Sequence, residues 1–299
     1  HKRTRSGRRV GRIAHLRNSV TRRCPKVRIM RIPIAALVGL FFTSLFFLMA
    51  IFAPWLAPYG MAEIVGDVWE PSSEQFLLGT DSIGRDLLSR LIYGGQTTIF
   101  IATAATAVSF ITGSVLGFFA AVSGGWIDQA ISRFVDLIMS IPSLIFALVV
   151  LSVMPTTITI LIVLMGLLDS TRVYRLARAV AVDITVMDYV EAARLRGEKT
   201  GWIIFREILP NALSPLVAEM GLRFIFAVLF VSTLSFLGLG VQPPQADWGG
   251  IVKENKEGIN YGIQAALYPA YAIATLCISI NLVADWVLNR TTSLKGGRG

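Results

Sequence analysis

Charge is scarce in this sequence. Asp, Glu, Lys and Arg make up 16% of its 299 residues against 54% hydrophobic, and the mean hydropathy is +0.63. That balance excludes an ordinary soluble globule and describes a membrane protein. Cysteine and histidine are scarcer still. Cys24 sits in a basic N-terminal stretch and Cys277 in an apolar run, which excludes a disulfide framework. His1 and His15 both precede the first apolar run, so the body of the chain has neither a histidine-based metal site nor a histidine-containing catalytic triad. Also missing are a phosphate loop ending in Gly-Lys-Ser/Thr, the zinc-binding HExxH pair and the GxSxG nucleophile elbow. ATP hydrolysis and the familiar hydrolase reactions therefore lack their residues here.

The formal net charge of +9 is local. Twelve of the 28 Lys and Arg lie between Lys2 and Arg31, where no acid occurs, leaving 16 basic residues against 19 acidic in the remainder. An arginine-rich run of this kind reads as a solvated tail held near anionic lipid. Nucleic-acid binding would call for a folded basic face with aromatics, and the tail, residues 1–33, has no aromatics for stacking.

Long apolar runs are what the chain has in abundance. A bilayer core about 30 Å thick takes about 20 helical residues, because lipid offers no partner to an unpaired backbone group. Ile34 to Ala53 is the first such run, longer than a secretory signal core and followed by Pro54-Trp55 instead of a small-residue cleavage site. It reads as a retained anchor. Thr98 to Val122 is the second, rich in the small residues that let membrane helices approach closely. From Phe134 to Leu168 there is no Lys or Arg and one acid, Asp136, yet these 35 residues would make a helix of about 52 Å, too long for one crossing. The run is expected to fold back at Pro155, giving spans at 134–153 and 156–174. Ala212 to Leu237 and Gln264 to Leu288 complete six, so that residues 34–289 form one transmembrane domain ahead of a short tail, 290–299.

Positive charge tests the count. With the basic tail in the cytoplasm, Pro54 to Gln96 falls outside, where six acids face Arg85 and Arg90. Asp169 to Pro210 falls inside with seven basic residues, as do Arg290, Lys295 and Arg298. A five-span arrangement would put those seven outside.

The inner loop carries the most information. Asp188 stands three residues ahead of Glu191, the spacing of a capping box, and predicts a short helix starting there. Ala192 and Ala193 add little bulk, and Gly197 falls where a helix stops in a left-handed turn. A second short helix with Trp202, Ile203 and Phe205 is expected to turn at Leu209-Pro210-Asn211 into the fifth span. From spacing alone two readings stay open: a connector resting on lipid headgroups, or a compact helix docking into a partner's groove.

Glu191-Ala192-Ala193, Gly197 and Leu209-Pro210 at this spacing resemble the EAA motif of ABC importer permeases. Two further stretches, Leu78-Gly79-Thr80-Asp81-Ser82-Ile83-Gly84-Arg85-Asp86 and Leu234-Ser235-Phe236-Leu237-Gly238-Leu239-Gly240 with Asp247-Trp248-Gly249, are similar to those of the second permease subunit in dipeptide, oligopeptide and nickel importers. The resemblance runs from about Ile32 to Asn289. It implies an all-α membrane protein with the six-helix type I importer permease fold, a cytoplasmic coupling helix and a partly helical outer segment. It also implies a multi-pass location in a bacterial inner membrane and a related second permease, two cytoplasmic ATPase subunits and an extracytoplasmic solute-binding protein as partners. Glu191, Ala192, Ala193, Gly197, Leu209 and Pro210 would then couple to the ATPases. ATP and magnesium would be handled by those partners, and no cofactor, metal or catalytic residue is expected here. Gly94-Gly95-Gln96 departs from the family pattern of Gly-Ala-Arg, removing a cation near the mouth of span two.

Two charged sites remain. Glu219 and Arg223 are four apart on one helix face in an apolar sequence, either as an ion pair that fixes packing or as a polar element of the translocation path. In the outer segment Asp81 is expected to cap a helix beginning near Ser82, and Asp81, Arg85 and Asp86 are candidate contacts for the binding protein. The rival to an ATP-driven importer is a self-contained channel or secondary transporter, which would be expected to show paired broken helices or a chain of intramembrane acids.

Overall fold

Long apolar runs make helices, and helices are what the described residues form. The computed structural model describes residues 33–296, with side chains through Asn289; the basic tail to Arg31, Cys24 included, and the side chains of Arg290, Lys295 and Arg298 lie outside the described residues. Helix α1 spans Ile34–Ile51 and is followed by the short α2, Ala53–Leu56. An outer segment then leads to α3, Leu87–Ser123. Next come α4, Gly125–Ser140, α5, Ser143–Val153, and α6, Ile158–Thr185. Helix α7 covers Asp188–Leu195, α8 Thr200–Ile203, and a π-helical turn, Ile204–Ile208, runs straight into α9, Leu209–Leu237. The chain closes with α10, Trp248–Asn255, a 3-10 turn over Lys256–Tyr261, and α11, Leu267–Gly296. Among the described residues no strand forms; two isolated antiparallel bridges, Ile64 with Arg85 and Thr80 with Asp86, tie the outer segment to itself.

Four helical stretches are long and apolar enough to cross a membrane: Ile34–Ile51, Leu87–Ser123, Thr200–Leu237 and Leu267–Asn289. A fifth arises if α4 and α5 count as one span. Helix α6 is long enough, but Asp169, Arg172 and Arg175 fall within its first eighteen residues.

The predicted helix ends shift in several places. The second predicted span is the inner part of α3, which starts at Leu87, well before Thr98, because Asp86 caps it by accepting from the Ser89 amide at 2.8 Å. Asp81 does not cap a helix. The third predicted span is not one helix: α4 and α5 meet at 81° across Ile141-Pro142. Pro142 has no amide hydrogen and drives the preceding Ile141 out of helical backbone, to φ −92° and ψ 128°. The fold-back lies at 154–157, where Thr157, not Pro155, opens α6 by accepting from the Ile160 amide. Helix α6 continues past the predicted end at 174 to Thr185, so that Arg175 and Arg178 join Asp169 and Arg172 on one helix.

Packing has two polar ends. At one, the fully buried Trp248 of α10 donates its indole N–H to the Leu91 carbonyl (2.9 Å) and its amide to Thr98 Oγ1 (3.1 Å), pinning α10 to α3. Gly249 lets α10 approach α9 as closely, since a Cβ there would lie 2.2 Å from the Ser232 carbonyl oxygen. Gln96 donates to the Ala50 carbonyl at 2.8 Å, tying α3 to α1 where an arginine is common in the family it resembles. At the other end Arg178 of α6 grips Asp128 of α4 through Nε and Nη2, and Tyr174 shares a 2.8 Å hydrogen bond with Ser132.

Candidate functional site

Helix α7 sits on the last turns of α6 and the start of the α8–α9 run. Val190 and Ala193 are fully buried against Ala177, Ala181, Ile184, Ile203 and Ile208. The opposite face, with Glu191, Ala192 and Gly197, is exposed. Leu195 is 84% exposed and Val186 76%, large apolar side chains left uncovered among the described residues. The two alanines therefore do different work: Ala193 lets α7 seat on its own subunit, and Ala192 faces outward.

The start of α7 differs from expectation. Met187 is the N-cap and Asp188 lies in the first turn with Glu191, so no capping box closes. Both acids instead complement the positive helix N-terminus. The helix stops at Gly197, φ +81°, where the Gly197 amide bonds to the Arg194 carbonyl (2.9 Å) and the Glu198 amide to Ala193 (3.2 Å). Leu209-Pro210 does not turn the chain. Helix runs unbroken from Thr200 to Leu237. The π turn absorbs the missing proline donor, with the Leu209 amide reaching back five residues to Ile204. Leu209 packs on the same cluster as Val190 and Ala193, while Pro210 is exposed.

The charges in the middle of the chain form a group larger than the predicted pair. Arg223 donates to Glu219 Oε1 from Nε (2.8 Å) and Nη2 (2.5 Å), and from Nη1 to Asp169 on α6 (3.4 Å). Ser109 of α3 donates to the other Asp169 oxygen at 3.1 Å. Arg172, one turn beyond Asp169, lies 3.7 Å from it. Both guanidiniums flank the Phe226 ring, Arg172 at 5.6 Å and Arg223 at 5.2 Å from its centroid. Beside this group a cavity of about 340 Å³ opens between α3, α6, α9 and the elbow at Ile141-Pro142. Asp169 and Arg172 form part of its wall. Both residues fall at the inner end of the predicted span 156–174, where the basic inner stretch begins; their three-residue spacing of opposite charges continues the apolar helical period and puts them on one helix face.

The outer residues turn inward. Asp81 is fully buried and Arg85 and Asp86 nearly so, at 7% and 2% exposure. They offer no surface to a binding protein, and that expectation is corrected. Asp81 accepts from the Arg85 and Ile83 amides, from Arg85 Nε (2.7 Å) and from Arg90 Nη1 (2.6 Å). Both arginines also reach Glu254 on α10. Burial alone would raise the Asp81 pKa, but the two amides and Arg90 together hold it below the usual carboxylate value. Fully buried Asn255 completes the junction, accepting from the Ser82 amide (3.0 Å) and the Trp69 indole (3.3 Å). Glu254 and Asn255 escaped notice because nothing local distinguishes them from solvated residues.

Among the described residues the chain is all-helical, with several helices long and apolar enough to cross a membrane, the architecture of a membrane protein. The chain belongs to the family of binding-protein-dependent transport system inner membrane components, which it matches over residues 113–292, and residues 34–70 match the N-terminal transmembrane domain of oligopeptide transport permease C. It is 35% identical over 257 residues to the di/tripeptide transport system permease protein DppC of Pseudomonas aeruginosa, covering 84% of this chain and 85% of that one. It is 32% identical to the dipeptide transport system permease protein DppC of Alkalihalophilus pseudofirmus, covering 84% and 83%. The glutathione transport system permease protein GsiD of Pectobacterium atrosepticum is 31% identical, with 86% of each chain covered.

Proposed function

We propose that this chain is one of two permease subunits in an ATP-driven importer of peptides or similar small solutes, working with two cytoplasmic ATPases and an extracytoplasmic binding protein. The observation that carries the reading is the end-to-end similarity to di/tripeptide and dipeptide permeases over more than four fifths of the chain. Six crossings follow if α6 spans the membrane alongside the bent α4–α5 pair. The assignment is supported by the positions of the polar ends: the outer segment meets α10 through Arg85, Arg90 and Glu254, whereas Asp128, Arg178 and α7 gather at the other end. Both termini are then cytoplasmic.

In this reading α7 couples to an ATPase. Its exposed Glu191, Ala192, Leu195 and Gly197 meet the partner, and buried Val190 and Ala193 pass the movement to α6 and α9. Leu209 and Pro210 root the lever in a helix that runs on to Glu219 and Arg223. Closure of the ATPases on ATP and magnesium would then shift the permease pair between inward-open and outward-open states. The Asp169, Glu219 and Arg223 cluster lies on the translocation path, since intramembrane charges face a bundle interior or a wet cavity.

The test is extraction from native membranes in mild detergent with hydrolysis blocked, followed by mass identification of everything that accompanies the chain. A second permease, ATPases and a loaded binding protein are expected. The bent α4–α5 pair and the two acids near Arg223 are features a self-contained transporter also has. Recovery of the chain alone, with uptake that survives loss of every ATPase, would favour that reading.

A further inference from the structure

The elbow between α4 and α5 has no role in the coupling described above, and its cost is specific. A helix broken at membrane depth strands the last carbonyls of one segment and the first amides of the next, which is tolerated where the backbone is buried in protein or lines a wet cavity. Here it lines the 340 Å³ cavity, at the lower end of the range for small-ligand pockets. The walls are mostly apolar, with Met139, Leu144, Met165 and Phe230 among them. One side differs: Arg172 stands there with no hydrogen-bond acceptor among the described residues. Its contacts are the 3.7 Å approach to Asp169 and the Phe226 ring, and its side chain is 43% exposed. Arg223, by contrast, has its donors spent on Glu219 and Asp169.

We infer that this cavity is a solute subsite, in which Arg172 takes the free carboxylate of a short peptide and the elbow pocket takes an adjacent apolar side chain. The guanidinium fork matches a carboxylate with two parallel donors, and it lies over the Phe226 ring, 5.6 Å from the centroid. Asp169, already bonded to Ser109 and Arg223, stands 3.7 Å from Arg172 and repels a misplaced carboxylate. The inference rests on the peptide-import reading and adds a place in this subunit where the solute pauses.

The test uses the complete transporter in lipid vesicles, with leucyl-leucine as probe. In a reporter with Ser143→Cys at the elbow and Cys24 and Cys277 replaced by serine, maleimide labelling is followed during ATP-driven uptake. Saturating leucyl-leucine is expected to slow labelling several-fold, its C-terminal amide is expected to have little effect, and R172Q is expected to abolish the protection. Separately, A227L, which fills the cavity, is expected to lower leucyl-leucine uptake roughly tenfold while glycyl-glycine uptake changes little. Equal protection by acid and amide overturns the role of Arg172. Normal uptake without protection, together with an A227L variant that treats both peptides alike, overturns the subsite and leaves the import reading intact. No uptake of either peptide by the unaltered transporter overturns the peptide reading and the subsite with it.

Discussion

Arg223 bridges two helices: its guanidinium holds Glu219 one turn earlier on α9 at 2.5 Å and reaches Asp169 on α6 at 3.4 Å. Opening a passage between α6 and α9 must break or re-aim the longer of these contacts. The exposures of the three side chains, 15%, 26% and 21%, put them at a partly covered surface and not in a dry core. R223A strands two carboxylates, so it is expected to cut uptake at least about tenfold, whereas R223K keeps the charge and recovers part of it. Uptake is measured per assembled complex. A loss confined to assembly would return the cluster to a packing role.

The outer junction makes a different kind of demand. Asp81 is the anion between Arg85 and Arg90, and Arg90 is 1% exposed. Replacing Asp81 by asparagine leaves two buried cations to share the partly exposed Glu254. Breaking a buried pair from one side costs about 3–5 kcal/mol. D81N is expected to release the segment between α2 and α3, detected as proteolysis there at temperatures where the unaltered protein resists. Because the Asp81 pKa is lowered by folding, its contribution is present above the ordinary carboxylate range and is lost as pH falls through the folded value. Unchanged protease resistance in D81N would show that Glu254 suffices.

How much of this was legible beforehand depends on range. Apolar runs and the glycine at 197 are local signals, and each marks a helix or a helix stop in the structure. Pro155 stands midway in the 35-residue run, where a fold-back is expected, but Pro142, between Ile141 and Ser143, breaks the helix just as firmly, since proline acts on backbone whatever surrounds it. Pro210 marks no turn because a π turn absorbs it, a choice made by packing over Ile203 and Ile208. Arg90 with Glu254, and Asp169 with Arg223, join positions far apart in sequence, and pairings of that range leave no periodic trace.

Gly197 allows backbone and docking effects to be separated. A Cβ there would meet nothing within 4 Å among the described residues, so the cost of a side chain is conformational, about 1 kcal/mol at φ +81°. Asparagine enters that conformation more easily than other residues. If glycine serves the turn alone, G197N is expected to retain ATPase co-purification and G197A to weaken it. If the surface is in close contact with a partner, as proposed, both weaken it and G197D abolishes it. Normal co-purification with G197D would remove Gly197 from the docking surface.

Asp247 titrates in the opposite sense to Asp81. It caps α10 through the Gly249 and Gly250 amides, yet burial raises its pKa from 3.8 to about 6, opposed by the Ser235 hydroxyl and those amides and reinforced by Glu254. Folding therefore favours the protonated acid. The stability this supplies is complete below about 3.8, where the unfolded group is also protonated, and is lost as pH rises through about 6. A displacement of that size corresponds to about 3 kcal/mol. The two amides reach different carboxylate oxygens, so D247N keeps an acceptor for one of them and loses the other bond at every pH, while carrying no charge; it removes the pH dependence and adds a constant offset. The difference in thermal-unfolding midpoint between the two proteins, followed from pH 4 to pH 7.5 in detergent, isolates this one group from every other carboxylate. The asparagine variant is expected to gain on the unaltered protein across the interval around pH 6, and parallel curves would show that Asp247 stays ionised in the folded chain.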